Sequence, residues 1–333
     1  GKPRIAWDDE QAQHDLVSAL VNDALAVLDD LDLTAIAKKP DNESEQQAVA
    51  LLALVAGQDV EPAAGSDGTD GRWQIARRTA PDRVISTVDT DARHAHKTQS
   101  RRQDGFKAHV VVEPDTGLVT ATELTKAAGE DNSDATVGAR LLPTDTTVAD
   151  SAADLEVLGD SAYATGAMLS SLAPTNWTAV LKPWPHRPAV KGGFVGDDFT
   201  YDATTNTLTC PNNLTRPVTA KGRVTFGAGC RGCPLRQRCT TSPRGRKIVL
   251  GEHHQLQREH RKQFADNHIQ DTYRQHRPMA ERSIAWLTRN NRRVPFRGVE
   301  NNNNWLHHRV AALNLRRLAS LGLSITHNTW TLA

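Results

Sequence analysis

Between Phe106 and Leu181 short valine-rich runs alternate with helical patterns, and that alternation restricts the chain to an α/β fold in which helices cover a sheet. Phe106 to Val112 alternates in part. Pro114-Asp115-Thr116-Gly117 is a turn, and Leu118 to Leu124 reads as the returning strand of a hairpin. Asp134 to Leu142 is helical and stops at Pro143. Leu155 to Leu158 is a short buried strand ending at Gly159-Asp160, followed by a helix from about Ala162 to Leu172 and a strand from Trp177 to Leu181.

The flanks differ in texture. Asp8 to Leu31 is an amphipathic helix pattern, with Leu16, Leu20, Ala24, Leu28 and Leu31 at helical spacing. Asp41 to Ala56 reads as a second helix, with Asp41 as N-cap, Glu43 and Glu45 in its first turn and Gly57 as its stop. Glu61 to Gly71, rich in Gly, Asp and Ala, reads as a mobile loop, and Arg83 to Val88 as a short apolar strand. From Pro183 to about Ser242, Pro, Gly and Thr dominate, as in an insertion between two core elements. Helical patterns resume near His253 and run through Asp271 to Arg289 and Trp305 to Leu321. The expected organisation is a helical accessory segment over 1–70, a core over 83–182 and 253–322, and an insertion over 183–252.

No apolar run approaches the length of a membrane span, and no signal-peptide pattern opens the chain. Hydrophobic content of 38% and charged content of 24% suit a soluble globular protein. Gly1 is no natural initiator, which suits a chain started mid-protein. The net charge of +1 says nothing of nucleic acid, but its distribution does. Gly1 to Asp70 holds fifteen acidic and four basic residues, whereas Asp271 to Ser320 holds ten arginines, no lysine and three acids. The second stretch suits a phosphate-facing surface, the alternative being two ordinary solvated faces.

Two carboxylates stand out. Asp160 closes a buried strand before a helix, where open α/β sheets place their chemistry, and carboxylate oxygens bind Mg²⁺ well. A helix N-cap is the plainer reading. Glu281 shares a helix face with Tyr273 and Arg277 at i, i+4 and i+8, next to apolar Ile284 and Leu287. It needs a partner, either a metal ion or Arg277 in a surface ion pair, and Pro278 should weaken the helix there. Lys107 and His109 alternate onto one strand face. His94, His96, Lys97, Arg101 and Arg102 form a second basic run, and Trp286 and Trp305 read as packing residues.

All four cysteines fall in the insertion. Cys230-Arg231-Gly232-Cys233 is a Cys-x-x-Cys knuckle, with Cys239 six positions on and Cys210 upstream. Four thiolates can close a tetrahedral structural Zn²⁺ site, and glycines at 227, 229 and 232 allow the tight turns such a knuckle needs. Unligated buried thiols and an iron–sulfur cluster are the rivals.

Asp104-Gly105-Phe106-Lys107-Ala108-His109, the turn at Asp115 to Gly117, Gly159-Asp160-Ser161-Ala162-Tyr163 and the Tyr273…Arg277…Glu281 helix resemble, in order and spacing, the signatures of DDE transposases of bacterial insertion sequences. The cysteine insertion resembles that of one subgroup, and the similarity spans roughly Arg83 to Leu321. The resemblance implies a ribonuclease-H-like fold, a mixed five-stranded sheet flanked by helices, and two aspartates and a glutamate holding two Mg²⁺ or Mn²⁺ ions that cut and join DNA. Asp160 matches the second acid and Glu281 the third. The first acid belongs on a strand upstream of the Lys-x-His strand. The first helices here resemble the segment between, so that acid and the N-terminal DNA-binding helices are expected to be missing. Asp89, in Ser86-Thr87-Val88-Asp89-Thr90, is the internal alternative.

The resemblance also implies DNA as partner (insertion-sequence ends and target), a homo-oligomer in the active complex, and a bacterial cytoplasmic, nucleoid-associated location. Lys107, Arg277, Arg289, Arg292, Arg293 and Arg297 are the expected DNA contacts, with Arg309, Arg316 and Arg317 on the next helix. A catalytically dead remnant that binds DNA or a full-length transposase is the second expectation. A zinc-ribbon adaptor is a third, and it leaves Asp160 and Glu281 unexplained.

Overall fold

The computed structural model describes residues 3–38, 43–80, 82–95, 103–145, 147, 154–289, 292–327 and 329–331. The expected N-cap Asp41 and His96, Lys97, Arg101 and Arg102 of the second basic run lie outside the described residues. The chain forms two compact units: residues 1–107, 125–129 and 295–302, and residues 108–124, 130–294 and 303–333.

In the first unit, helix α1 (Glu10–Asp30) starts where the Asp9 side chain accepts the Gln11 N–H, the capping expected of an aspartate before a helical pattern. Helices α2 (Leu33–Lys38) and α3 (Glu43–Gly57) follow. Strands β1 (Val60–Pro62) and β2 (Trp73–Ile75) pair antiparallel. Glu61 to Gly71 is therefore not a loop throughout. Ser18 bonds both N–H and C=O of Trp73, and Asn22 bonds Gly71 O and Trp73 Nε1, so α1 holds the hairpin. These anchors are side chains from elsewhere in the chain, which local composition does not reveal. The strand expected over Arg83 to Val88 does not form. Val84 is buried there as a loop residue, with its N–H and C=O both bonded to the Gln58 amide. The neighbouring strand is β3 (Arg93–His94), paired antiparallel with the start of β4 (Asp104–Val112).

The hairpin of β4 and β5 (Val119–Lys126) forms as its pattern predicts, closed by Glu113 N–H to Leu118 O. Gly117 at its turn has φ +74°, and a Cβ there would stand 2.9 Å from Met279 Sδ. Only glycine combines that backbone with that contact.

The second unit is built around a parallel pair, β6 (Glu156–Gly159) and β7 (Thr178–Leu181), in register from Glu156↔Thr178 to Gly159↔Leu181. Parallel neighbours need a crossover, supplied by helix α5 (Gly166–Leu172) after helix α4 (Asp134–Leu141). Ala135, Leu142, Ala164, Met168, Leu169, Leu172 and Leu181 form the shared core. Burial of such side chains contributes roughly 1.5–3 kcal/mol each. The described residues form separate three-stranded and two-stranded sheets where the resemblance implied one five-stranded sheet. The fold is thus mixed α/β, with helices and small sheets.

Residues 183–252 carry their own core. Strands β8 (Thr200–Asp202), β9 (Thr207–Thr209) and β10 (Thr215–Pro217) form one small sheet. Strands β11 (Arg223–Thr225) and β12 (Lys247–Val249) form another, with the short helix α6 (Arg236–Cys239) between them in sequence. Phe199, Leu208, Val224 and Phe226 are buried at the centre. Helix α7 (His254–Phe264) then leads into α8 (Asn267–Leu287), which runs unbroken through Pro278, and into α9 (Val299–Ser320).

Candidate active site and cysteine cluster

Asp160 sits where β6 ends. Its Oδ1 accepts the Ala162 N–H at 2.9 Å, and its backbone O accepts the Tyr163 N–H at 3.1 Å. Gly159 before it must be small, since a Cβ would stand 2.8 Å from Leu181 Cδ2 and 3.1 Å from Tyr163 Cβ. The N-cap-like turn and the exposed carboxylate therefore coexist: Oδ1 holds the turn and Oδ2 points outward to Arg277.

Helix α8 brings Tyr273, Arg277 and Glu281 along one face. Arg277 Nη2 lies 3.4 Å from Asp160 Oδ2 and 3.9 Å from Glu281 Oε1. The arginine side chain is 19% exposed, against 48% for Asp160 and 69% for Glu281. A guanidinium so covered needs anions, and it has one from the end of a strand and one from its own helix. This joins two residues 117 positions apart. The sequence had offered Arg277 or a metal as the partner of Glu281, and Arg277 serves both acids. Burial pushes the Tyr273 phenol up; Arg277 opposes this, and the charges of Asp160 and Glu281 add to it. Burial also pushes the Tyr163 phenol well above the ordinary tyrosine range, with Asp134 and Asp160 adding to the rise and Arg277 working against it.

Asp134 was not anticipated as part of this region. It opens α4, where Ser133 caps by accepting the Thr136 N–H, so in sequence it reads as an ordinary helix start. Its Oδ1 lies 3.6 Å from Nδ1 of His109, which is 3% exposed. His109 thus faces the interior, while Lys107 on the same strand is half-buried.

Asp89 belongs to the first unit. Its N–H donates to Ser86 Oγ, and its Oδ1 accepts from the Asp91 and Gly298 N–H groups, each at 3.3 Å. Asp91 Oδ2 accepts the Val299 N–H at 3.0 Å and pairs with Lys126 at 3.2 Å. Together the two aspartates satisfy N–H groups at the start of α9.

Arg289, Arg292, Arg293 and Arg297 are exposed. Arg309 and Arg317 are used otherwise. Arg309 donates to the carbonyls of Leu287 and Arg289 and lies over the Trp305 ring at 5.3 Å. Arg317 donates to Thr116 O and lies 5.6 Å from the Trp286 ring centre. These two hold backbone ends and stack on tryptophans, which gives Trp286 and Trp305 the packing role expected of them.

Cys210, Cys230, Cys233 and Cys239 are all free thiols. The four line one cavity of about 20 Å³, together with Phe199, Leu214 and Phe226. Burial pushes the Cys239 thiol up; Arg246 works against this, and the other three cysteines raise it further. Among the described residues, no group of three or more His, Cys, Asp or Glu is set at metal-holding geometry. The thiols have converged on one void without closing on a common point. The segment is anchored to α7 by Asp197, whose Oδ2 and Oδ1 accept from Arg261 at 2.7 and 2.8 Å, and by Arg258, which donates to the Phe199 and Asp197 carbonyls.

Residues 208–319 match a family model described as a transposase DDE domain. The match takes in Cys210, the other cysteines and Glu281, covers about a third of the chain, and supports a DDE transposase. No curated protein and no solved structure matches the chain. No described helix is long and apolar enough to cross a membrane.

Proposed function

We propose that the chain is a transposase catalytic region that cleaves and joins DNA at insertion-sequence ends, with Asp160 and Glu281 holding Mg²⁺ or Mn²⁺. One observation carries this reading: Arg277 lies between an aspartate at the end of a parallel strand and a glutamate on a helix 117 residues downstream of that aspartate. Two exposed carboxylates offer the hard oxygen donors a divalent ion requires, and Asp160 Oδ2 already faces a cation. A pair of such ions would activate the attacking water or 3′-hydroxyl and stabilise the leaving oxygen. The Arg277 fork suits two oxygens of a phosphate. Exposed Arg289, Arg292, Arg293 and Arg297, with Lys107, would hold the DNA backbone, so affinity should fall steeply with salt. Joining two element ends calls for a homo-oligomer, and a DNA substrate places the work at the bacterial nucleoid in the cytoplasm.

The cysteine segment would hold a structural Zn²⁺ through Cys210, Cys230, Cys233 and Cys239. Four soft donors around one void are the right donor set, and a small inward movement would complete it. A zinc assay on reduced protein tests this; absence of stoichiometric zinc removes it.

A second reading has its own support. The first acid is unassigned, and the Oδ1 of the internal candidate Asp89 is taken up by two backbone N–H groups. A chain with two acids would bind DNA, or a complete transposase, and not cut. Nicking of supercoiled DNA with Mn²⁺ decides between them. Activity lost in Asp160→Asn and Glu281→Gln supports the enzyme, and DNA binding without nicking supports the remnant.

A further inference from the structure

The interior of the second unit holds a carboxylate that the sequence had passed over as a helix start. Asp134 and Gly138 stand at i and i+4 on α4 and share a face. That face lies against Tyr163, because a Cβ on Gly138 would stand 3.0 Å from Cδ1 and Cε1 of the tyrosine ring. Tyr163 belongs to the turn that begins at Asp160, to whose carbonyl its N–H donates. A single aromatic ring therefore runs from the turn of Asp160 to the face of α4 that Asp134 heads.

We infer that Asp134 contributes a third carboxylate to the divalent-cation site of Asp160 and Glu281. The inference rests on the proposed function of those two acids. Three features fit Asp134 for the task. It starts a helix, where the backbone dipole favours a charged carboxylate. Its side chain is 24% exposed, so an ion can reach it. Its Oδ1 is backed at 3.6 Å by His109, buried on β4, which can fix the carboxylate's orientation as outer partners of ligands do. The three acids then come from three elements, the start of α4, the end of β6 and the middle of α8, with Arg277 as the cation between two of them. Asp134 would stand in for the first acid, and Asp89 would be left to its place at the start of α9.

Mn²⁺ binding to the full chain, read by the electron paramagnetic resonance of free Mn²⁺, tests this without any need for activity. Asp134→Asn is expected to weaken Mn²⁺ binding by about 10–100-fold, as Asp160→Asn does, with circular dichroism and metal-free melting close to those of the parent. Asp89→Asn should bind as the parent does. Parent-like binding by Asp134→Asn alongside weakened binding by Asp160→Asn overturns the inference and leaves the proposed function standing. Parent-like binding by Asp160→Asn and Glu281→Gln sinks the proposed function, and the inference with it. If Asp134→Asn does not fold, Asp134→Ser, another residue favoured at helix starts, gives the same readout.

Discussion

The cysteine segment and the carboxylate site lie in the same unit and are held in opposite ways. Residues 183–252 carry a private core, with Phe199, Leu208, Val224 and Phe226 all at most 1% exposed and the thiols at its edge. The carboxylate site has no core of its own. It is an encounter of the end of β6 with the middle of α8, and the polar contact across it is the Arg277–Asp160 pair at 3.4 Å. A local apolar core tolerates the loss of any one polar group, whereas a site made by distant charges depends on each of them. The first arrangement suits a structural module and the second suits chemistry.

Charge removal at the carboxylates should produce the largest effect. Asp160→Asn and Glu281→Gln are expected to bring Mn²⁺-dependent nicking to background while melting stays within about 1 kcal/mol of the parent, as is usual for exposed positions. A large loss of stability in either variant would make the site structural and erase the contrast. Next in size is the private core. Phe226→Ala should cost about 3–5 kcal/mol and Met168→Ala, in the core over β6 and β7, about 2–5 kcal/mol, by denaturant titration. If residues 183–252 unfold as a separate step, Phe226→Ala will move one transition and Met168→Ala the other.

Cys239→Ser sharpens the comparison further. With zinc bound, serine at this position should release the metal and lower the melting temperature. The aromatic core should still leave the segment folded, unlike a zinc finger, which unfolds without its ion. Complete unfolding on chelation would mean that Phe199 and Phe226 are too little to hold the module.

The same contrast explains what could be read from the chain. Periodicity marked α8, so Tyr273, Arg277 and Glu281 fell on one face, and the apolar run before Asp160 marked the end of β6. The Cys-x-x-Cys spacing marked the knuckle. Each of these is a local pattern, written in a few adjacent residues. The partner of Arg277 was not legible because it lies 117 positions away. Asp134 was hidden by an equally good local reason for being there, since an acid after Ser133 is what any helix start favours. Arg83 to Val88 misled in the opposite direction. Its valines look like a strand, but Gln58 takes both the N–H and C=O of Val84, so no strand can pair there. Arg309 and Arg317 looked like DNA contacts by composition and are committed to carbonyls and tryptophans.

The smallest expected effect lies at the seam between the cysteine segment and α7. Burial alone would raise the Asp197 carboxyl, but Arg261, helped by His186 and Arg258, holds it below the ordinary aspartate value of 3.8. A carboxyl depressed by folding stabilises the folded state fully above its unfolded pKa, and that contribution fades as pH falls through the folded value. Stability should therefore be flat across neutral pH on this account and decline below about pH 4. The Asp197 side chain is 30% exposed, so the loss in Asp197→Asn at pH 7 should be only about 0.5–1 kcal/mol. The variant should also show a shallower acid decline than the parent. An unchanged acid slope would mean that Asp197 merely lies beside Arg261, and that the module is held to α7 by the Arg258 bonds to the Phe199 and Asp197 carbonyls, which do not titrate.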